Sequence, residues 1–115
     1  MKHLLNSAAV ALLLTGASAY ANESVLTETA EAGQWAIQTG DYANTRYSEL
    51  DQITRENVGD LRVAWTFSTG VLRGHEGGPL VVDNVMYVHT PFPNNIFALD
   101  LNDNGKILWR YTPQQ

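Results

Sequence analysis

An all-β fold is predicted for this chain by two observations. Over "LRVAWTF" the apolar residues Leu61, Val63, Trp65 and Phe67 alternate with Arg62, Ala64 and Thr66, the period of a half-buried strand. Further short apolar runs follow at Leu80 to Val82, Val85 to His89, Ile96 to Leu101 and Ile107 to Tyr111. They are separated by Asp83-Asn84, by Pro91 to Asn95 and by Asn102 to Gly105. Short strands with turn residues at this spacing indicate an antiparallel unit.

The elements follow in order. Lys2, the apolar run Ala8 to Leu14 and the small residues of Ala19-Tyr20-Ala21 have the pattern of a secretory signal spanning 1–21. The run is too short to cross a bilayer, which takes about 20 apolar residues. Residues 22–60 read as an N-terminal arm; from Asn22 to about Gly40 it is acidic and rich in small residues, extended or weakly helical, with Trp35 and Ile37 as its bulky apolar anchors after Leu26. Within it, "YSELDQITRENVGDL" spaces Leu50, Ile53, Val58 and Leu61 for one short helical turn, with Thr54 as N-cap. Residues 61–115 then hold about one four- or five-stranded sheet, the size of a single propeller blade at the usual period of about 40 to 50 residues. A lone blade cannot bury both faces: Trp65, Tyr87, Phe97 and Trp109 would leave apolar surface open unless other sheets stacked on them. The 115 residues are therefore expected to be the leading portion of a longer protein, with a truncated first blade.

Charge excludes two classes of partner. The chain carries 7 Lys+Arg against 12 Asp+Glu. Cleavage after Ala21 would remove Lys2 and no acid, leaving 6 against 12, a net charge of −6 over 115 − 21 = 94 residues. With no cluster of Lys or Arg there is no electrostatic footprint for nucleic acid and no attraction to an anionic membrane. There is no cysteine, so packing rather than disulfides must stabilise the fold.

Two stretches could carry chemistry. In "DLNDNGKILWRY", Asp100, Asn102, Asn104 and Gly105 match positions 1, 3, 5 and 6 of an EF-hand loop, but Tyr111 stands where a bidentate Glu is required. A hairpin turn at Asn104-Gly105 explains these residues better. In "GHEGGP", Gly74 to Pro79, no Gly-Lys-Ser/Thr follows and no second histidine lies four residues on, so neither a phosphate loop nor a zincin site is present. Two uses stay open for Glu76: a solvated carboxylate in a turn, or a ligand-contacting acid on backbone bare enough for close approach. His89 reads as a strand-end residue rather than a ligand, and Trp35, Trp65 and Trp109 as packing.

The stretch Ser48 to Gly70, "SELDQITRENVGDLRVAWTFSTG", followed by "GHEGGPLVVDNVMYVHTPFPNNIFALD", resembles the start of the large subunit of methanol dehydrogenase and other pyrroloquinoline quinone (PQQ) alcohol dehydrogenases, of calcium- or lanthanide-dependent type. The resemblance covers residues 34–113. Ala98, Asp100, Gly105 and Trp109 resemble the family's tryptophan docking motif, Ala-x-Asp-x-x-Thr-Gly-x-x-x-Trp, with Asn104 in place of Thr and one extra residue before Gly105. The resemblance implies an eight-bladed β-propeller and a periplasmic enzyme that oxidises primary alcohols to aldehydes. It implies PQQ and a Ca²⁺ or lanthanide ion as cofactors, and a c-type cytochrome as electron acceptor. It makes Glu76 a PQQ contact, with Gly74, Gly77 and Gly78 letting backbone and quinone approach, and leaves homodimer and small-subunit complex both open. The family's metal ligands, its catalytic aspartate and its adjacent-cysteine disulfide match nothing in these residues, so this portion is expected to be inactive by itself. A non-enzymatic exported propeller scaffold would share the strands; Glu76 in its glycine turn together with "HTPFPN" favours the enzyme.

Overall fold

The computed structural model describes residues 23–114; the signal expected over 1–21 lies outside them. Four antiparallel strands form one sheet in the order β1-β2-β3-β4: β1 Leu80–Val82, β2 Val85–His89, β3 Ile96–Asp100 and β4 Lys106–Tyr111. These are the four later strands expected from the sequence, with ends shifted by at most one residue. The β1–β2 connection is a two-residue hairpin in which Asp83 and Asn84 both take positive φ, 50° and 61°. That is the turn whose twist matches the strands, and Asx residues tolerate it.

The core sits on β3, where Phe97, Ala98 and Leu99 are all buried. Alternation puts Phe97 and Ala98 on opposite faces. Above Phe97, the Phe67 ring packs edge-on at 5.1 Å and the Arg110 guanidinium lies 5.4 Å from the ring centre. On the other face Tyr87, Ala98 and Trp109 form one cross-strand row. The Ala98 methyl is small enough for the two flanking aromatic rings to approach to 6.0 Å across it. The register to β4 slips between Ala98 and Leu99, which oppose Trp109 and Ile107, leaving Leu108 without a partner of its own.

The motif's extra residue is absorbed by a 3₁₀ turn, Leu101–Asp103. Asp100 Oδ1 accepts from the Asn102 N–H at 2.8 Å, and the Gly105 N–H returns to the Asp100 carbonyl, also at 2.8 Å. Gly105 is buried under the Trp65 indole, with φ of +74°. Phe97 is thus covered, contrary to expectation, but Trp109, Ile107 and Tyr111 remain about half exposed, so one sheet does leave apolar surface open.

The strand expected over Leu61 to Phe67 is absent. This stretch has no regular secondary structure and forms no ladder with any described residue, and Val63 is 81% exposed. Alternation reports which side chains could share a face; a strand also needs a neighbour for its N–H and C=O groups. The expected packing holds for Trp65, against Gly105, and Phe67, against Phe97, but not for Leu61 and Val63, which are exposed.

The arm contains a helix, α1 Glu23–Thr29, and then a turn that brings Trp35 back to the sheet. Trp35 N–H donates to Val81 O at 2.7 Å and Val81 N–H returns to Trp35 O at 3.0 Å. Gln34 adds a reciprocal pair with Asp83. Further on, Thr54 Oγ1 accepts from the Glu56 N–H at 3.2 Å in the turn that leads into the 3₁₀ segment Val58–Asp60. A short helical turn is present as expected, but its N-cap is Asn57, without a side-chain cap bond, and not Thr54. The Thr54 hydroxyl also holds the Glu56 carboxyl below its ordinary pKa.

Candidate functional site

Two loops at one end of the sheet make the site. The first runs from Thr69 to Pro79 and is braced by its own side chains. His75 Nδ1–H donates to the Arg73 carbonyl at 2.8 Å, and Nε2 is hydrogen-bonded to the Thr69 hydroxyl at 3.1 Å. Thr69 Oγ1 in turn accepts from Val71 N–H at 3.3 Å.

The second loop joins β2 to β3. Here Thr90, 2% exposed, closes a tight loop: its N–H donates to Asn95 O at 2.9 Å, its Oγ1 accepts from Asn95 N–H at 3.0 Å, and its hydroxyl donates to Pro91 O at 2.7 Å. The Arg73 guanidinium lies 5.6 Å from the centre of the Phe92 ring and bridges the two loops.

Between them is a cleft of about 370 Å³, lined among others by Gly74, Glu76, Gly77, His89, Thr90 and Asn94. Its size is in the range of small-molecule sites, roughly 300 to 1,000 Å³. Glu76 is exposed and its carboxylate has no hydrogen-bond partner among the described residues, so both oxygens are available to a ligand. The donor set also suits a polar anionic group: an imidazole on one wall and the Asn94 amide on the other can complement what a carboxylate alone would repel. Asn95 Oδ1 is buried without a partner among the described residues. No group of three or more His, Cys, Asp or Glu among them could hold a metal ion. No described helix is long and apolar enough to cross a membrane.

The glycines of the turn divide in a way the sequence did not reveal. Gly74 has open space where a Cβ would be. At Gly77 a Cβ would fall inside the His89 imidazole, and at Gly78 it would lie 3.3 Å from Gln38 Cγ. Two of the three bare backbones therefore already carry side chains of this chain. His89, read from sequence as an uninvolved strand end, lies in the cleft. A signal for this existed: counting two residues out from the pair Leu80↔Tyr87 sets Gly78 opposite His89.

Residues 35–115 match the family described as glucose/ethanol/alcohol dehydrogenase, beta-propeller domain (PQQ). The whole chain is 72% identical to the XoxF protein of Paracoccus denitrificans and covers 19% of it. Over 113 residues, 93% of this chain and 19% of the relative, it is 62% identical to a lanthanide-dependent methanol dehydrogenase of Methylorubrum extorquens. Among solved structures, a europium-containing methanol dehydrogenase superposes with a TM-score of 0.77 at 57% identity, covering 82% of this chain and 16% of that one. The chain thus spans about a fifth of the length of the relatives it matches. With the family matched from Trp35 onward and a four-stranded antiparallel sheet behind the match, the chain belongs to the PQQ glucose/ethanol/alcohol dehydrogenase β-propeller family.

Proposed function

We propose that this chain is the N-terminal portion of a periplasmic, eight-bladed PQQ-dependent dehydrogenase that oxidises primary alcohols, methanol among them, to aldehydes and passes the electrons to a c-type cytochrome. The observation that carries this reading is the 62% identity, over 93% of the chain, to a lanthanide-dependent methanol dehydrogenase. Export rests on the signal pattern of residues 1–21. In this reading Glu76 contacts the cofactor from the cleft wall, supported by its uncommitted carboxylate and by the braced turn that presents it.

When bound, PQQ supplies the quinone carbonyl that takes up hydride from the alcohol, with a Ca²⁺ or lanthanide ion as its Lewis acid. The part played by these residues is binding and orientation. His75 fixes the loop through Arg73 and Thr69, so the backbone carrying Glu76 is ordered in advance and only its side chain has still to be ordered on binding. An ionised Glu76 would accept the cofactor's pyrrole N–H; a protonated one would share its proton with a cofactor carboxylate, since two like charges that close are not both ionised cheaply. The metal ligands and the proton-accepting aspartate belong to residues beyond this portion, which is therefore inactive alone.

The test is reconstitution of the complete apoenzyme with PQQ. Loss of a hydrogen bond to a charged group costs about 1.5–3 kcal/mol, so Glu76→Ala should weaken PQQ binding by roughly 10- to 150-fold. A Glu76→Gln variant with full affinity would argue against the ionised acceptor, since a neutral amide oxygen accepts more weakly, and favour the shared proton. Unchanged affinity in Glu76→Ala would refute the contact. Absence of PQQ-dependent dye reduction with methanol in the complete protein would refute the enzyme.

A further inference from the structure

Gly77 follows Glu76 directly, and its missing side chain is spoken for. An ideal Cβ there would overlap His89 Cε1 and Nε2 and stand 3.0 Å from Nδ1. The imidazole thus rests on bare backbone one residue from the carboxylate. Its own place is set by the sheet: His89 ends β2 and pairs with Ile96 of β3, so its Cα is held by the ladder rather than by the loop. The ring makes no hydrogen bond among the described residues, so its fixed relation to the turn is one of shape. Its neighbours differ. A Cβ at Gly78 would meet only the flexible Gln38 side chain, and one at Gly74 would meet nothing.

We propose that His89 is the positioning residue of the Glu76 turn, its ring acting as the seat on which Gly77 rests and so fixing where the Glu76 carboxylate is presented. This rests on the reading of Glu76 as a cofactor contact. It assigns the glycine at 77 to His89 rather than to the quinone, which separates it from a turn kept bare only for the cofactor.

The experiment is a cycle of Gly77→Ala, His89→Ala and the double variant in the complete enzyme, with Gly78→Ala as a methyl control and His89→Phe as a substitute flat ring. Two quantities are read: PQQ affinity on reconstitution, and the melting temperature of the apoenzyme. Gly77→Ala should weaken PQQ binding by about tenfold or more, as an overpacked contact does. The double variant should return to within about twofold of His89→Ala, because the collision is gone. Gly78→Ala should stay within about threefold of the parent, since Gln38 can yield. His89→Ala should weaken binding and shift the absorption band of bound PQQ at unchanged melting temperature, and His89→Phe should restore both. A double variant weaker than His89→Ala by the whole factor that Gly77→Ala costs the parent would mean that the added methyl meets PQQ, and would overturn the proposal, as would failure of His89→Phe to restore binding. Should Gly77→Ala not fold, the His89→Ala and His89→Phe pair decides alone. If Glu76→Ala leaves PQQ affinity unchanged, the underlying reading has failed instead; the melting temperatures, taken without PQQ, still report on the seat, because Gly77→Ala should lower the melting temperature and the double variant should restore it to that of His89→Ala.

Discussion

Gly105→Ala should cost about 2–5 kcal/mol of stability, from two sources that can be measured apart. The backbone there has φ of +74°, a left-handed conformation that costs a residue with a Cβ about 1–2 kcal/mol. An added Cβ would also stand 2.5, 2.7 and 2.9 Å from Trp65 Cζ3, Cε3 and Cη2. Those atoms belong to a rigid ring, so relief requires a shift of the indole or of the turn, and overpacking of this kind costs about 1–3 kcal/mol. The assay is equilibrium urea unfolding followed by far-UV circular dichroism, with stability taken from midpoint and slope. Repeating Gly105→Ala in a Trp65→Leu background removes the collision and leaves the backbone term, so the two substitutions should couple by about 1–3 kcal/mol. Full stability in Gly105→Ala, or strict additivity in the double variant, would refute the view that the indole is docked on this turn.

Thr90→Val keeps the shape of a buried side chain but leaves the Asn95 N–H without its acceptor, and should lower stability by about 1–3 kcal/mol in the same urea assay. Gly74→Ala meets open space within the chain, so it should leave the melting temperature unchanged; a fall in PQQ affinity on reconstitution would then mark where the cofactor approaches the backbone. The Thr45 backbone N–H, then the Thr45 hydroxyl, hold the Asp41 carboxyl below its ordinary value of 3.8. A carboxyl with a depressed folded-state pKa adds stability that is present above the unfolded value and lost as pH falls through the folded one. The 39–46 turn should therefore loosen only in acid below pH 3.8, and Thr45→Ala should move the Asp41 titration part of the way back toward 3.8, as followed by NMR.

The four strands of the sheet were legible because each is a short apolar run bounded by residues that fix a turn, and Asp83-Asn84 even set the register. The 3₁₀ turn after Asp100 was not legible. It depends on one carboxylate reaching the Asn102 N–H, and the same residues can also spell a metal loop. The stretch Leu61 to Phe67 misled for the opposite reason: its pattern is that of a strand, but pairing is a property of two segments and only one is visible in a local window. Glu76 was singled out as a candidate from its setting and the resemblance together. The seating of Gly77 on His89 escaped because it joins residues twelve apart in sequence, and glycine presents no side chain from which to read a partner.

The return of Trp35 to Val81 has a consequence for how this sheet meets other chains. An unprotected outer strand is a template for runaway ladder growth. With Gln34 and Trp35 clipped over β1, that side offers a newcomer few free amides. Among the described residues the opposite margin, β4, is uncovered and carries two basic side chains, Lys106, paired with Asp103 at 3.3 Å, and Arg110. One margin is thus left open among the described residues, and a sheet open on one side cannot extend a ladder: pairing through Lys106–Tyr111 would close after two copies.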